Sequence, residues 1–223
     1  MNVKLFFNAI SKFLLGIILV GILIFLPAGT FNYFNGWLFM AILFIPMLFA
    51  GIIMMIKNPK LLKSRLNAKE KQKEQGIVIK LSGLMFIVGF VLAGLDFRFK
   101  WIVLPPIVSY ISSFVFILAY LLWAEVLKEN TYLSRTIKVE EGQKVIDTGL
   151  YGIVRHPMYT ATIILFLSMP LVLGSIISFF VFIFYPVLII FRILYEEKLL
   201  EKELKGYAEY KQKVKYRILP FIW

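Results

Sequence analysis

The chain has 223 residues, 60% of them hydrophobic and 17% charged, with a formal net charge of +12. A soluble domain of this size carries about half apolar and about a quarter charged residues, so apolar runs close to a bilayer's span indicate a polytopic membrane protein. With no cysteine and a single histidine, disulfides, thiolate metal sites, a cysteine nucleophile and a multi-histidine metal centre are excluded, although an all-oxygen ion site is not.

The apolar runs predict an all-α bundle of about six transmembrane helices, over approximately 7–28, 36–56, 77–95, 102–124, 158–173 and 175–195. Lys4 and Lys12, before the uninterrupted apolar stretch of the first span, resemble the start of a signal peptide. No small-residue cleavage site follows cleanly, so the run reads as a retained first helix. Lys57–Gln75 is Lys-rich and contains Leu61, Leu62 and Leu66, which suits a solvated loop or interfacial helix touching anionic lipid. Asp96, Arg98 and Trp101 in the next turn read as interface anchors. The last two spans are joined by little more than Leu173-Gly174-Ser175 and should form a tight hairpin, with Pro170 and Pro186 as candidate kinks.

Six spans place both termini on one side. Of the 25 Lys and Arg residues, only Arg98 and Lys100 then fall on the opposite side. The positive-inside rule makes the basic side cytoplasmic, and the membrane the plasma membrane if the source is prokaryotic. Bases placed this way meet lipid headgroups rather than nucleic acid. Residues 1–124 form a four-span region and 125–223 a C-terminal region, within one integrated membrane domain.

Polar chemistry gathers in three clusters on the basic side. Gly142 and Gly149 bracket Gln143, Lys144, Val145 and Ile146 in a linker running from Glu140 to Tyr151. It reads as turn, short extended segment and turn, or as a plain loop. Arg155-His156-Pro157-Met158-Tyr159 opens the fifth span. Pro157 suits a first helical turn, which holds Arg155 and His156 at an end that favours anionic groups. Arg192 and Glu196 lie four residues apart at the end of the sixth span, with Tyr195 and Glu197 adjacent. Each cluster alone could be interfacial anchoring. The hairpin brings the second and third side by side, giving a pocket of His156, Tyr159, Arg192 and Glu196, roofed by the linker and the C-terminal tail.

Gly149-x-Tyr151, Arg155-His156-Pro157-x-Tyr159, Arg192-x-x-x-Glu196-Glu197, Gly206-Tyr207-x-x-Tyr210 and Leu219-Pro220-Phe221-Ile222 occur in this order. The set resembles the isoprenylcysteine carboxyl methyltransferase family and related integral-membrane phospholipid methyltransferases over about residues 125–223, including Glu129-Asn130-Thr131. The resemblance implies S-adenosyl-L-methionine-dependent methyl transfer at the cytoplasmic face, to a lipid-like or prenylated acceptor from the bilayer, with carboxyl O-methylation favoured. Carried over, Gln143, Lys144, Val145, Ile146, Tyr151, His156, Pro157, Met158, Tyr159, Glu196 and Glu197 would bind the cofactor. Arg192 would hold the position of the substrate-contacting arginine. No metal is implied. Two other readings stand beside this one: an NADPH-dependent membrane reductase, because sterol-reductase-like proteins resemble the same hairpin, and a non-catalytic membrane protein whose clusters only anchor it.

Overall fold

The computed structural model describes residues 3–67, 73–133, 139 and 142–223, so Glu140 and Glu141 of the expected linker lie outside the described residues. Four long helices come first, with a short one between the second and third: α1 (Val3–Ala28), α2 (Phe34–Lys57), α3 (Pro59–Leu66), α4 (Lys73–Phe99) and α5 (Pro106–Glu129). A 3₁₀ turn (Gly149–Gly152) leads to α6 (Pro157–Val172), α7 (Ile176–Phe182), α8 (Tyr185–Glu203) and α9 (Tyr207–Lys213). Among the described residues the regular structure is entirely helical, an all-α membrane bundle.

Five segments are long and apolar enough to cross a membrane: α1, α2, the described part of α4, α5, and α7 with α8 taken together. The chain is an integral membrane protein. The predicted fifth span is α6, with 16 residues. At 1.5 Å per residue it is about 24 Å long, short of a hydrocarbon core of about 30 Å. The predicted sixth span is broken at Ile183 and Phe184, and Pro186 opens α8 instead of kinking a continuous helix.

Helix boundaries follow local chemistry. Asn58 ends α2 with its N–H on the Met54 carbonyl, and its side-chain oxygen accepts from Leu61 N at 3.0 Å to cap α3. Pro59 occupies the first turn of α3, where no N–H is needed. Ser175 caps α7 in the same way, its Oγ accepting from Ser178 N at 3.1 Å.

At the end of the bundle remote from the clusters, the turn residues are built into the protein. Asp96 is only 2% exposed. It accepts from Ser175 Oγ at 2.6 Å and from Ile102 N at 3.1 Å, so it ties α4 to the hairpin tip instead of anchoring at an interface. Tyr33 donates to the Leu173 carbonyl and stacks on Phe97. Trp101 remains exposed, against Phe99.

The helices pack closely where side chains are small. A Cβ at Gly94 would stand 2.5 Å from the Ile24 carbonyl oxygen, so α4 crosses α1 nearly backbone to backbone. Gly89 leaves room for the ring of buried Phe182 and accepts from Ser178 Oγ at 2.8 Å. Around these crossings Phe39, Phe90, Phe116 and Phe182 form an aromatic core joining α2, α4, α5 and α7.

Candidate functional site

The site grows from the start of α6. Its N-terminus is covered by the C-terminal tail, which supplies backbone carbonyls to it. Arg155 N donates to Tyr216 O at 2.9 Å, His156 N to Arg217 O at 2.8 Å, and Thr160 Oγ1 to Ile218 O at 2.8 Å. Non-helical backbone persists at membrane depth only where the protein satisfies it, and these bonds do so.

One carboxylate locks this junction. Glu197 accepts from Arg155 Nε at 2.8 Å and from Arg217 Nε at 2.9 Å, and His156 Nε2 lies 3.3 Å from the Arg155-bound oxygen. Arg155 also donates to the carbonyls of Val214 and Lys215, and the Arg217 guanidinium lies over the Trp223 ring. Arg155, His156 and Glu197 are all buried. This cluster joins α6, α8 and the tail into one unit.

The linker is fastened separately. Glu129, at the end of α5, accepts from Leu150 N at 3.0 Å. Gly149 has φ +50°, and a Cβ there would stand 1.5 Å from Glu129 Oε1, so only glycine fits. Tyr210 of α9 donates to the Tyr151 carbonyl at 2.7 Å.

These fastenings border an open cavity of about 460 Å³. Its apolar side is made by Val78, Ile79 and Phe86 of α4, Phe166 of α6 and Ile189 of α8. Its polar side is made by the linker, Asn130, Tyr132, Arg65 and Tyr207. Between the two sides lies a hydrogen-bonded chain. Arg192 Nε donates to Tyr159 Oη at 2.9 Å, and Tyr159 donates to Glu196 Oε2 at 2.5 Å. Arg192 Nη1 also donates to Oε1 of the buried Gln75 at 3.3 Å. Deeper in, Tyr185 donates to Thr162 Oγ1 at 3.3 Å.

The structure brings most of the sequence-predicted residues to this cavity. Gln143, Lys144, Val145, Ile146, Tyr151, His156, Met158, Tyr159, Arg192 and Glu196 all line it. Pro157 and Glu197 do not. Pro157 is packed at the start of α6, and Glu197 faces the buried arginine cluster. Arg192 and Glu196 meet through the phenol of Tyr159, which stands between them.

Sequence reasoning passed over Gln75, Thr162 and Tyr185, which carry no motif and sit within apolar or Lys-rich runs. Tyr207 entered it only within the Gly206-Tyr207-x-x-Tyr210 motif, with no role of its own. Tyr207 is 4% exposed, lines the cavity, and its hydroxyl has no hydrogen-bond partner among the described residues. Burial, reinforced by the charges of Glu197 and Glu196, pushes its pKa far above the usual phenol value. It is a permanent donor.

Comparison with known proteins separates fold from chemistry. Residues 124–223 match the ergosterol biosynthesis ERG4/ERG24 family. A Delta(14)-sterol reductase of Mus musculus is 31% identical over 91 residues, covering 40% of this chain and 22% of the relative. One from Arabidopsis thaliana is 30% identical over 132 residues, covering 53% of this chain and 35% of the relative. One from Methylotuvimicrobium alcaliphilum is 29% identical over 93 residues, covering 40% and 22%. The chain thus spans about a third or less of the length of these relatives.

Among solved structures, a eukaryotic intramembrane isoprenylcysteine carboxyl methyltransferase aligns with TM-score 0.50 and 17% identity, over 98% of this chain and 85% of that one. The likeness to the methyltransferases therefore holds for the fold. The expectation of a methyltransferase using S-adenosyl-L-methionine is overturned by the sterol-reductase matches, and the expected prenylated acceptor goes with it. Fold alone does not fix chemistry.

Proposed function

We propose that this chain is an NADPH-dependent reductase that saturates a carbon–carbon double bond in a sterol-like lipid taken from the membrane. The observation that carries this reading is where the family match falls. The matched residues, 124–223, include Tyr159, Arg192, Glu196 and Tyr207, the polar groups around the inner cavity.

The residues present fit the cofactor. A cavity of about 460 Å³ falls within the range of about 300–1,000 Å³ that cofactor and ligand sites occupy. Arg65 and Lys144 line its polar side, where cationic groups suit phosphates. The unpartnered Tyr207 hydroxyl needs an acceptor, because a buried donor left unpaired is costly. The apolar face of α4 with Phe166 and Ile189 suits a rigid hydrocarbon skeleton.

Saturating a double bond adds a hydride to one carbon and a proton to the other, and NADPH when bound supplies the hydride. The proton is the protein's task. Tyr159 and Glu196 share one short hydrogen bond, so the pair holds the proton to be delivered to the substrate carbon. Arg192 Nε on the phenol oxygen stabilises the negative charge left behind. The apolar wall keeps water from the cationic carbon that protonation creates. By the positive-inside rule the polar mouth of the cavity opens to the cytoplasm, with both termini on that side.

The test is direct. Purified protein is incubated with NADPH and a sterol carrying a Δ14 double bond, and the product is read by mass spectrometry. The expected product has gained two hydrogens. Thermal stabilisation by NADPH should accompany this, since a ligand that binds only the folded state raises its melting temperature. If neither stabilisation nor reduction occurs in folded protein, the reading is wrong.

A further inference from the structure

The ring of Tyr207 packs with Leu204, Tyr210 and Val214, but its hydroxyl plays no part in the proton chain. The residue lines the cavity, and its buried hydroxyl has no hydrogen-bond partner among the described residues. The neighbouring Tyr210 shows the contrast: its hydroxyl is used up on the Tyr151 carbonyl. A phenol needing only to fill space at position 207 would be served as well by phenylalanine, without a stranded donor.

The surroundings decide what the hydroxyl can meet. The carboxylates of Glu197 and Glu196 both act on Tyr207 electrostatically and together outweigh the Arg155 guanidinium beside it. A phosphate would be repelled there. A sugar hydroxyl fits instead: its oxygen accepts from Tyr207, and a hydroxyl on the adjoining carbon donates to the carboxylate of Glu196, which lines the same cavity. Resting on the reductase reading above, we infer that Tyr207 and Glu196 together bind a ribose diol of the nucleotide cofactor, leaving the phosphates to Arg65 and Lys144.

The experiment compares wild type with Tyr207→Phe in detergent, measuring the melting temperature without ligand and the NADPH dissociation constant at low and high salt. A neutral hydrogen bond contributes about three- to tenfold in affinity. The variant is expected to bind NADPH about five- to tenfold more weakly, by the same factor at both salt concentrations. Without ligand it should melt at the same temperature as wild type or higher, since a stranded donor has been removed. Unchanged affinity in the variant, or a ligand-free melting temperature lower by several degrees, overturns the assignment. A loss that is larger at low salt also overturns it, because that marks a phosphate contact. If wild type itself does not bind NADPH, the reductase reading falls and this inference with it, an outcome distinct from a wild type that binds beside a variant that binds equally well.

Discussion

Arg192 and Glu196 are four residues apart on α8, the spacing at which an arginine and a carboxylate on one helix usually pair directly. Here Tyr159 from α6 stands between them, accepting from one and donating to the other. The arrangement turns a surface-type ion pair into a polarised phenol facing an apolar cavity. Removing the hydroxyl should cost little in substrate binding and much in turnover. Tyr159→Phe is expected to lower kcat about a hundredfold, the usual scale for losing a positioned acid, with KM for NADPH changed less than threefold; steady-state kinetics with a Δ14 sterol checks this. A second residue-scale prediction concerns Gly149. An alanine there meets Glu129 Oε1 and keeps a positive φ, so Gly149→Ala should destabilise the protein by roughly 2 kcal/mol. Shortening the obstructing side chain in Gly149→Ala with Glu129→Ala should give a loss smaller than the sum of the two single losses, which thermal unfolding of the four proteins in a double-mutant cycle would reveal.

Among the elements, the C-terminal tail does more than end the chain. It supplies carbonyls to the start of α6, and Arg217 reaches the same carboxylate as Arg155. Glu197 carries this junction. Replacing a buried carboxylate that pairs with two arginines leaves uncompensated charge, so Glu197→Gln should cost about 3 kcal/mol. Limited proteolysis should show cleavage of the variant's tail well before wild type's. The difference between Glu196 and Glu197 also marks how far the sequence could be read. Both were recognisable as polar residues at the end of a span, but adjacent helical positions point about 100° apart, and only packing decides which one meets the cavity. The hairpin and the convergence of His156, Tyr159 and Arg192 were legible because a short turn forces antiparallel neighbours. The burial of Asp96, the break at Ile183 and the contribution of Gln75 were not, because each depends on a partner more than 70 residues away or on packing between helices.

At the scale of the whole molecule, the likeness in fold is to a methyltransferase and the likeness in sequence is to sterol reductases. A helical hairpin that presents Arg192 and Glu196 beneath a linker roof suits an anionic or zwitterionic cofactor of either kind, and for that reason motif spacing pointed toward methyl transfer. The orientation of this assembly is independently testable, because the chain has no cysteine of its own. Val103 lies exposed in the turn between α4 and α5, and Lys205 lies exposed between α8 and α9, beside the polar end of the cavity. The six-span reading of the sequence puts all but two of the basic residues on the Lys205 side, which the positive-inside rule would make cytoplasmic. Single Val103→Cys and Lys205→Cys variants, expressed in a host's plasma membrane and treated with a membrane-impermeant maleimide, should therefore behave oppositely. The cysteine at 103 should label in intact cells and the one at 205 only after permeabilisation. The reverse pattern would put the cavity mouth outside, away from the cytoplasmic NADPH pool, and the proposed reductase activity would then lack its hydride source.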